Sequence, residues 1–552
     1  MKITVSQLIV RYMERLGVEF IFGMPGAHIL PVYDSLYHSS IQSILAKHEQ
    51  GAAFMAGGYA RASGKIGACI TTAGPGATNL VTGIANAFAD RQPILVVTGE
   101  APTHIFGKGG LQESSGEGGA IDQAALFRGI TRYHKIVERT DYLPQVLNKA
   151  SRILLSGNAG PVLLSFPFNV QKELVDEQVL EQIKTRRHAR SPHKDTHARR
   201  ALGKLILAAK SPVIVAGYGC IKASAHDLVA KLSESLKIPV TTSLKGKGVI
   251  DERSPLSLGP LGVTSFGHAY RYIVDTADLL IVLGAGFNER TSYLWDQKLL
   301  QGKQIAQVDN DHEQLEKVFR ADLAIHGDIK DVLTEVLADI DARPLQGCKV
   351  LDPSDLTDVS DSGNAASFRA TFPLVERFFA KLERDFPGDL LIFDDNIIFA
   401  QNFFRSSARK RYFPNSGISS LGHAIPAAIG ARFARSTPTF AVLGDGGFQM
   451  CCMEIMTAVN YQKPLNVVMF NNATMGLIRK NQFQQYEKRF INCDFINPDY
   501  ALLARSFGIN HFKVEAEADI DRLFKTADLV NESHLIEILL DKDTFPSYSS
   551  RR

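Results

Sequence analysis

The chain has 552 residues, room for three or four domains at about 150 residues each, which excludes a peptide hormone or a disulfide miniprotein. Hydrophobic residues make up 45% and charged residues 22%, and 61 Lys and Arg against 58 Asp and Glu leave a formal charge of only +3, so nothing resembles a global nucleic-acid footprint. The six cysteines, Cys69, Cys220, Cys348, Cys451, Cys452 and Cys493, are scattered without a C-x-x-C, which excludes a disulfide framework and favours a reducing compartment.

The first twenty residues, MKITVSQLIVRYMERLGVEF, interrupt their apolar stretch with Arg11, Glu14 and Arg15. They read as an amphipathic first helix rather than a secretory signal. The apolar runs are strand-length and far short of a membrane span, so a soluble cytoplasmic protein is expected. From there, short β-branched runs alternate with helical patterns: SILAKHE then GAAFMAGGYARASG, ACITTAG then TNLVTGIANAFAD, and PILVVTG. The middle of the chain repeats the pattern with PVIVAGYG, SAHDLVAKLSESL, IPVTTSL and LLIVLGAGF, and the last third with TFAVLGDG, a helical stretch to about Asn460, and LNVVMFNN. Near-continuously hydrophobic strands separated by helices imply parallel sheets covered on both faces. The fold class is therefore α/β, with three doubly wound parallel-sheet domains over residues 1–172, 195–342 and 366–552. Two stretches read as solvated connectors: 171–198, with Arg186, Arg187, Arg190 and Lys194, and 343–366, with Asp352, Asp355, Asp358 and Asp361.

Functional residues in such sheets lie beyond the carboxyl ends of strands. There stands Gly444-Asp445-Gly446-Gly447, followed by a helix and, at the end of the next strand, Asn471-Asn472. In a β-α-β unit the two strand ends are neighbours, so Asp445 and Asn472, 27 positions apart, can present oxygens to one point. That donor set suits Mg²⁺, which would neutralise a diphosphate. Gly446 and Gly447 would let backbone N–H groups and a helix N-terminus approach the phosphates without a Cβ in the way. Alone, Gly-Asp-Gly is also an ordinary strand-to-helix turn; the Asn-Asn pair favours the diphosphate reading. A second signal is Glu49, at the start of a Gly- and Ala-rich helix, where the bland alternative is a favourable charge on the helix macrodipole. Its context includes AGPGATNLVTGIA and Gly110-Leu111-Gln112-Glu113.

FGMPGAHILPVYDSL, Glu49 in its setting, AGPGATNLVTGIA, LQE, SLGHAIPAAIGA and GDGGFQM with FNNATMG follow one another as in thiamine-diphosphate enzymes. Over essentially the whole chain they most closely resemble the acetolactate (acetohydroxyacid) synthase large-subunit branch. The resemblance implies pyrimidine-binding, central and diphosphate-binding domains in that order, and active sites between the subunits of a homodimer or homotetramer. It implies that Glu49, in a mostly apolar slot, hydrogen-bonds the aminopyrimidine. Leu421 would prop the cofactor into its bent shape, although a plain core leucine requires no such geometry. Gly444, Gly446, Gly447 and Gly476 would line the cofactor, and Asp445, Asn472 and the Thr474 carbonyl would hold Mg²⁺. Gln112 would hold substrate beside the thiazolium, a surface-loop amide being the alternative. The expected activity is a decarboxylating carboligase joining a 2-oxo acid, pyruvate, to a second carbonyl compound. The cofactor supplies the electron sink and the protein supplies orientation and electrostatics.

Departures from the branch concern the substrate pocket, expected to include His28, Leu111, Gln112, Leu477 and Asn481. Asn481 stands where biosynthetic synthases carry a tryptophan, and Leu111 where a phenylalanine usually precedes Gln-Glu. His28 resembles the histidine of benzaldehyde-lyase-like members and would donate a proton or a hydrogen bond to substrate, or be only a helix-start residue. Ile397-Ile398 displaces a Gln-His pair, leaving Asn396 as the polar contact. A non-redox FAD in the central domain stays open: the stretch Gly284-Ala285-Gly286-Phe287-Asn288-Glu289-Arg290 lacks an arginine at Gly286, and Gly217-Tyr218-Gly219 is a weak dinucleotide signal. The alternatives are a simple 2-oxo acid decarboxylase, or an acyloin lyase with a non-pyruvate acceptor. A dinucleotide oxidoreductase is disfavoured by the missing full G-x-G-x-x-G, and a non-catalytic paralogue by the joint presence of Glu49, Asp445 and Asn472. No nucleic-acid or membrane partner is expected, and the C-terminal DKDTFPSYSSRR would form a lid or fray.

Overall fold

A computed structural model describes residues 1–185, 196–341, 368–386 and 388–546. Three six-stranded sheets, each wholly parallel, occupy residues 20–167, 212–326 and 390–539. The first runs, edge to edge, Gln42–Leu45, Phe20–Gly23, Gly67–Thr71, Ile94–Glu100, Val162–Pro167, Tyr133–Ile136. The second runs Ser257–Pro260, Val240–Thr242, Pro212–Ala216, Leu279–Leu283, Gln304–Asp309, Leu323–His326. The third runs Lys410–Phe413, Leu390–Asp394, Thr439–Gly444, Asn466–Asn471, His534–Leu539, Asn510–Val514. Their central strands are buried along their whole length, as in Gly67–Thr71, Pro212–Ala216 and Leu279–Leu283. That is why the hydrophobic runs in the sequence are unbroken rather than alternating.

The first connector departs from the expectation of a solvated linker. Leu174–Asp176 pairs antiparallel with Lys2–Thr4, and Val175, Leu180 and Ile183 are buried in the core of the first sheet. Arg11 and Arg15 reach Glu177 and Glu181 from the helix Val5–Arg15. The apolar residues of this stretch are spaced too irregularly to announce a strand, yet burying them is enough to dock it. The basic cluster at 186–194 and the acidic connector at 343–366 fall almost wholly outside the described residues.

The first and third domains are joined by two helices, Glu49–Ser63 and Ala424–Ala434, which cross with their backbones in contact. A Cβ on Gly58 would lie 1.9 Å from the Ala427 carbonyl oxygen, and one on Gly430 would lie 1.9 Å from that of Met55. Only glycine allows this approach. The crossing fixes where Glu49, at the head of the first helix, stands relative to the third sheet.

Candidate active site

The third sheet builds the first half of the site. Strands Thr439–Gly444 and Asn466–Asn471 pair in parallel with Gly444 opposite Phe470, so both chains leave the sheet side by side. Asp445 opens the helix Asp445–Cys451, and its carboxylate accepts from the backbone N–H of Gly446 at 3.0 Å, Asn472 at 3.2 Å and Ala473 at 2.7 Å. The two segments thus converge as the 27-residue spacing requires. Ala473 adopts a left-handed φ of 53°, a strained turn of the kind that collects at functional sites; both loop N–H groups point at Asp445. Burial pushes the Asp445 carboxyl above its ordinary range, against the pull of these hydrogen bonds. Thr474 is buried, with its hydroxyl spent on the Cys493 carbonyl at 2.9 Å.

Asn497 was not legible as part of this cradle. Its side-chain Nδ2 donates to Asp445 and to Asn471 Oδ1, both at 2.8 Å, and its own Oδ1 is held by Gln449 and Tyr500. It lies 25 positions beyond Asn472 in a polar stretch with no periodic signal. The glycines prove constrained by protein as well: a Cβ on Gly446 would lie 2.5 Å from the Met475 sulfur, and one on Gly447 2.6 Å from an Asp395 oxygen. Asp395, fully buried and pushed up to about 6 by that burial, accepts from the N–H groups of Gly422, His423 and Ala424. It thereby pins the turn that presents Leu421, which is half-buried, and Gly422 packs that turn on Met450. Asn396 is taken by the central domain, its carbonyl oxygen accepting from Arg290 at 2.6 Å. Gly476, Leu477 and Asn481 lie along one helix, Gly476–Gln485, with Leu477 and Asn481 half-buried. The C-terminal segment docks on this helix, Asp543 to Arg479 at 2.6 Å and the Phe545 ring 5.0 Å from Phe483. Residues 547–552 are outside the described residues.

The first sheet builds the second half. Glu49 begins its helix directly after the N-cap His48. Its carboxylate is half-buried and accepts from the Asn79 amide at 2.9 Å, so a single chain does not supply the enclosed apolar slot. Gln112 has a left-handed φ of 55°, and Gly74 (φ +59°) faces it, since a Cβ there would lie 2.9 Å from the Gln112 Cβ. The Gly-Pro-Gly turn and the Gln112 loop are therefore one unit. Ser114 stitches it, its hydroxyl accepting from the Gly74 N–H at 3.1 Å and its own N–H donating to the buried Glu100 carboxylate at 2.9 Å. The Gln112 side-chain Oε1 receives the Thr72 hydroxyl at 3.4 Å and lies 3.3 Å from His28 Nδ1. His28 and Gln112 are thus neighbours, whereas Leu111 is 71% exposed.

Glu454 ties the halves of one chain together. Nine positions after Asp445, its buried carboxylate accepts from the N–H groups of Lys47 and His48 at 3.0–3.1 Å and from the Thr457 hydroxyl at 2.9 Å. Gly51 leaves it room, since a Cβ there would lie 2.1 Å from Glu454 Oε1. A third-domain residue thus satisfies the backbone just ahead of Glu49. Glu454→Ala is expected to strand those N–H groups at about 1–3 kcal/mol each, read as a lowered midpoint in denaturant unfolding. Activity should fall beyond what the loss of folded protein explains.

In the central domain a groove of about 400 Å³ opens at the strand ends, lined by Gly284, Gly286, Asp309, Lys222, Lys245 and Lys317 among others. Gly217 and Gly219 are there for packing: a Cβ on Gly217 would lie 2.0 Å from the Gly284 carbonyl oxygen.

The order of these parts matches known proteins. Residues 3–125 match the thiamine pyrophosphate enzyme N-terminal TPP binding domain, 200–336 its central domain, and 396–538 its C-terminal TPP binding domain. The chain belongs to the thiamine pyrophosphate (thiamine diphosphate) enzyme family. Among its relatives, the probable acetolactate synthase large subunit of Methanocaldococcus jannaschii is 33% identical over 97% of this chain and 92% of the relative. The acetolactate synthase of Arthrospira platensis is 32% identical over 99% and 96%, and the acetolactate synthase isozyme 1 large subunit of Escherichia coli (strain K12) 32% over 94% and 90%. Within the family, this is an acetolactate-synthase-like, thiamine-diphosphate-dependent enzyme. No helix among the described residues is long and apolar enough to cross a membrane.

Proposed function

We propose that the protein decarboxylates a 2-oxo acid, pyruvate, and joins the remaining two-carbon unit to the carbonyl carbon of a second molecule. When that acceptor is also pyruvate, two pyruvates and one proton give acetolactate and CO₂. The observation that carries the reading is the convergence of Asp445, Asn472 and the strained Ala473 turn at one strand end. The cradle holds a single carboxylate, and no group of three or more His, Cys, Asp or Glu side chains suited to a metal lies among the described residues. One carboxylate beside amide and carbonyl oxygens fits Mg²⁺ shared with a diphosphate better than an all-protein metal cage. Asp445, Asn472 and the Thr474 carbonyl would hold the ion, with Gly444, Gly446, Gly447 and Gly476 around the diphosphate.

Thiamine diphosphate, when bound, supplies the nucleophilic carbon and electron sink for decarboxylation. The chain's residues orient and move protons. Glu49 holds a proton at the aminopyrimidine ring nitrogen, and Asn79 holds Glu49. Leu421, on a turn pinned by Asp395, would pack against the cofactor. With the Gln112 carbonyl occupied by His28 and Thr72, its amide N–H groups are left to bind a substrate carboxylate or carbonyl. With His28 Nδ1–H directed at Gln112, Nε2 is the nitrogen left to face the acceptor oxygen, and it delivers a proton there from the imidazolium form, in which both ring nitrogens carry hydrogen. Leu111, Leu477 and Asn481 border the acceptor.

Among the described residues of one chain, Glu49 and Asp445 share no hydrogen-bonding partner. Met450, Met453 and Ile496, beside the diphosphate half, are 58%, 57% and 96% exposed. A homodimer in which each copy covers the other's half-site supplies both the missing enclosure of Glu49 and a cover for these side chains. The central groove, with Lys222 and Lys317 for phosphates and Asp309 for a ribose, fits a non-redox FAD, and flavin absorbance released on denaturing the purified protein is the expected sign. A colourless protein would remove FAD and leave the thiamine chemistry intact.

The reading is tested by mass-spectrometric product analysis with Mg²⁺ and thiamine diphosphate, with pyruvate alone and with a panel of aldehydes and 2-oxo acids. Acetolactate from pyruvate alone is expected. A mixed acyloin or a bare aldehyde would assign the acceptor pocket around His28 and Asn481 to another substrate.

A further inference from the structure

Where the three domains meet, Arg61, at the last turn of the helix headed by Glu49, enters a small cavity of about 20 Å³. The central domain contributes Tyr218, His226, Lys245 and Lys247, and the third domain Ser407, Arg411 and Phe413. Arg61 is only 8% exposed. One of its terminal nitrogens donates to the Pro414 carbonyl at 3.0 Å, while the other, Nη1, is buried with no well-formed hydrogen bond among the described residues, the Tyr218 hydroxyl being the polar group that interacts with this guanidinium. The Arg411 guanidinium stands nearby, bonded to the Arg61 and Ala62 carbonyls. Both cations lie over the Phe413 ring, 5.2 and 4.8 Å from its centroid.

The charges around this cavity do not balance. Asp90 is paired with Lys245 at 2.5 Å and Glu252 with Lys247, so each carboxylate already has its own lysine. Asp394, buried behind Tyr412, is pushed up to about 7 and accepts that residue's hydroxyl. His226 is held neutral by burial and by Arg411, and burial keeps the Tyr218 hydroxyl protonated. Arg61, which shares Asp90 with Lys245, and Arg411 remain without a carboxylate of their own, and a guanidinium does not deprotonate to escape burial. Two buried like charges facing one cavity are costly unless a counter-charge is present.

The geometry points to a binding site for a single monatomic anion of chloride size between the three domains. Size selects the ligand: about 10–15 Å³ accommodates one water-sized sphere, so a cavity of about 20 Å³ takes a halide and not a tetrahedral oxyanion. Arg61 Nη1, Arg411, the Ser407 hydroxyl and the Tyr218 O–H are the donors. The ion would neutralise the junction and lock the far end of the Glu49 helix to the other two domains.

The experiment is a crystal of the full chain grown in bromide, with anomalous scattering recorded at the bromine edge, together with thermal unfolding in chloride, bromide, gluconate and sulfate at equal ionic strength. The expected result is an anomalous peak in the cavity against Arg61. The midpoint should also rise saturably with halide, by about 2 °C or more, and Arg61→Met or Arg411→Met should abolish that rise. Arg411→Met serves if Arg61→Met does not fold. A cavity holding only water, bromide peaks confined to surface lysines, or equal midpoints in all four salts would overturn the proposal.

Discussion

Glu49→Gln is expected to lower turnover by about 10²–10⁴-fold, the range typical of losing a positioned acid–base group, while leaving the fold and cofactor affinity nearly intact. Glutamine keeps the carbonyl oxygen that accepts from Asn79, and the helix stays capped by His48 and Glu454. Stability is therefore untouched, and only the ability to hold and release a proton is removed. Steady-state kinetics at saturating thiamine diphosphate, with the cofactor dissociation constant measured by tryptophan or tyrosine fluorescence, separates the two. An unaffected kcat would remove Glu49 from the mechanism.

The second large effect is expected at Asp445. Its carboxylate receives the N–H groups of Gly446, Asn472 and Ala473 and the amide of Asn497, so Asp445→Ala breaks the loop's organisation and removes the charge at its centre. Loss of an outer partner of a metal ligand typically costs 10–100-fold in affinity. In the proposed role of Asp445 as the ligand itself, its loss should weaken apparent Mg²⁺ and thiamine diphosphate binding by about 100-fold or more. Isothermal titration of each with the purified variant checks it, and unfolding in denaturant corrects for the stranded N–H groups. Asn497→Ala, which removes one donor and leaves the charge, should fall between the variant and the natural chain. If Asp445→Ala bound both ligands normally, the cradle would have another purpose.

What could be read from the sequence was whatever is local or set by one crossover. Asp445 and Asn472 were legible because a β-α-β unit brings consecutive parallel strand ends together whatever the side chains are, and the structure joins them by hydrogen bonds to one carboxylate. The pairing of the Gly-Pro-Gly turn with Gln112 was visible only as proximity in the chain. The positive φ at both positions, which locks the loop, depends on the Glu100 and Ser114 hydrogen bonds. Contacts across hundreds of residues left no local trace. Gly58 and Gly430 read as members of small-residue helices, and their helix crossing decides why they must be glycine. Glu454 looks like one acidic residue in a helical stretch, yet it holds the backbone that leads into Glu49. Residues 174–183 look like linker and are docked by three apolar side chains. The enclosure of Glu49 was expected from the family resemblance, and a single copy leaves that carboxylate half-open.

The most direct test of the central claim is CO₂ release from carboxyl-labelled pyruvate by the protein stripped of ligands and then supplied with thiamine diphosphate, Mg²⁺, both or neither. The expected result is labelled CO₂ only when both are present, with one CO₂ for every two pyruvates consumed. Release that is independent of either, or none with both present across the range of 2-oxo acids, would contradict a thiamine-diphosphate-dependent decarboxylating carboligase.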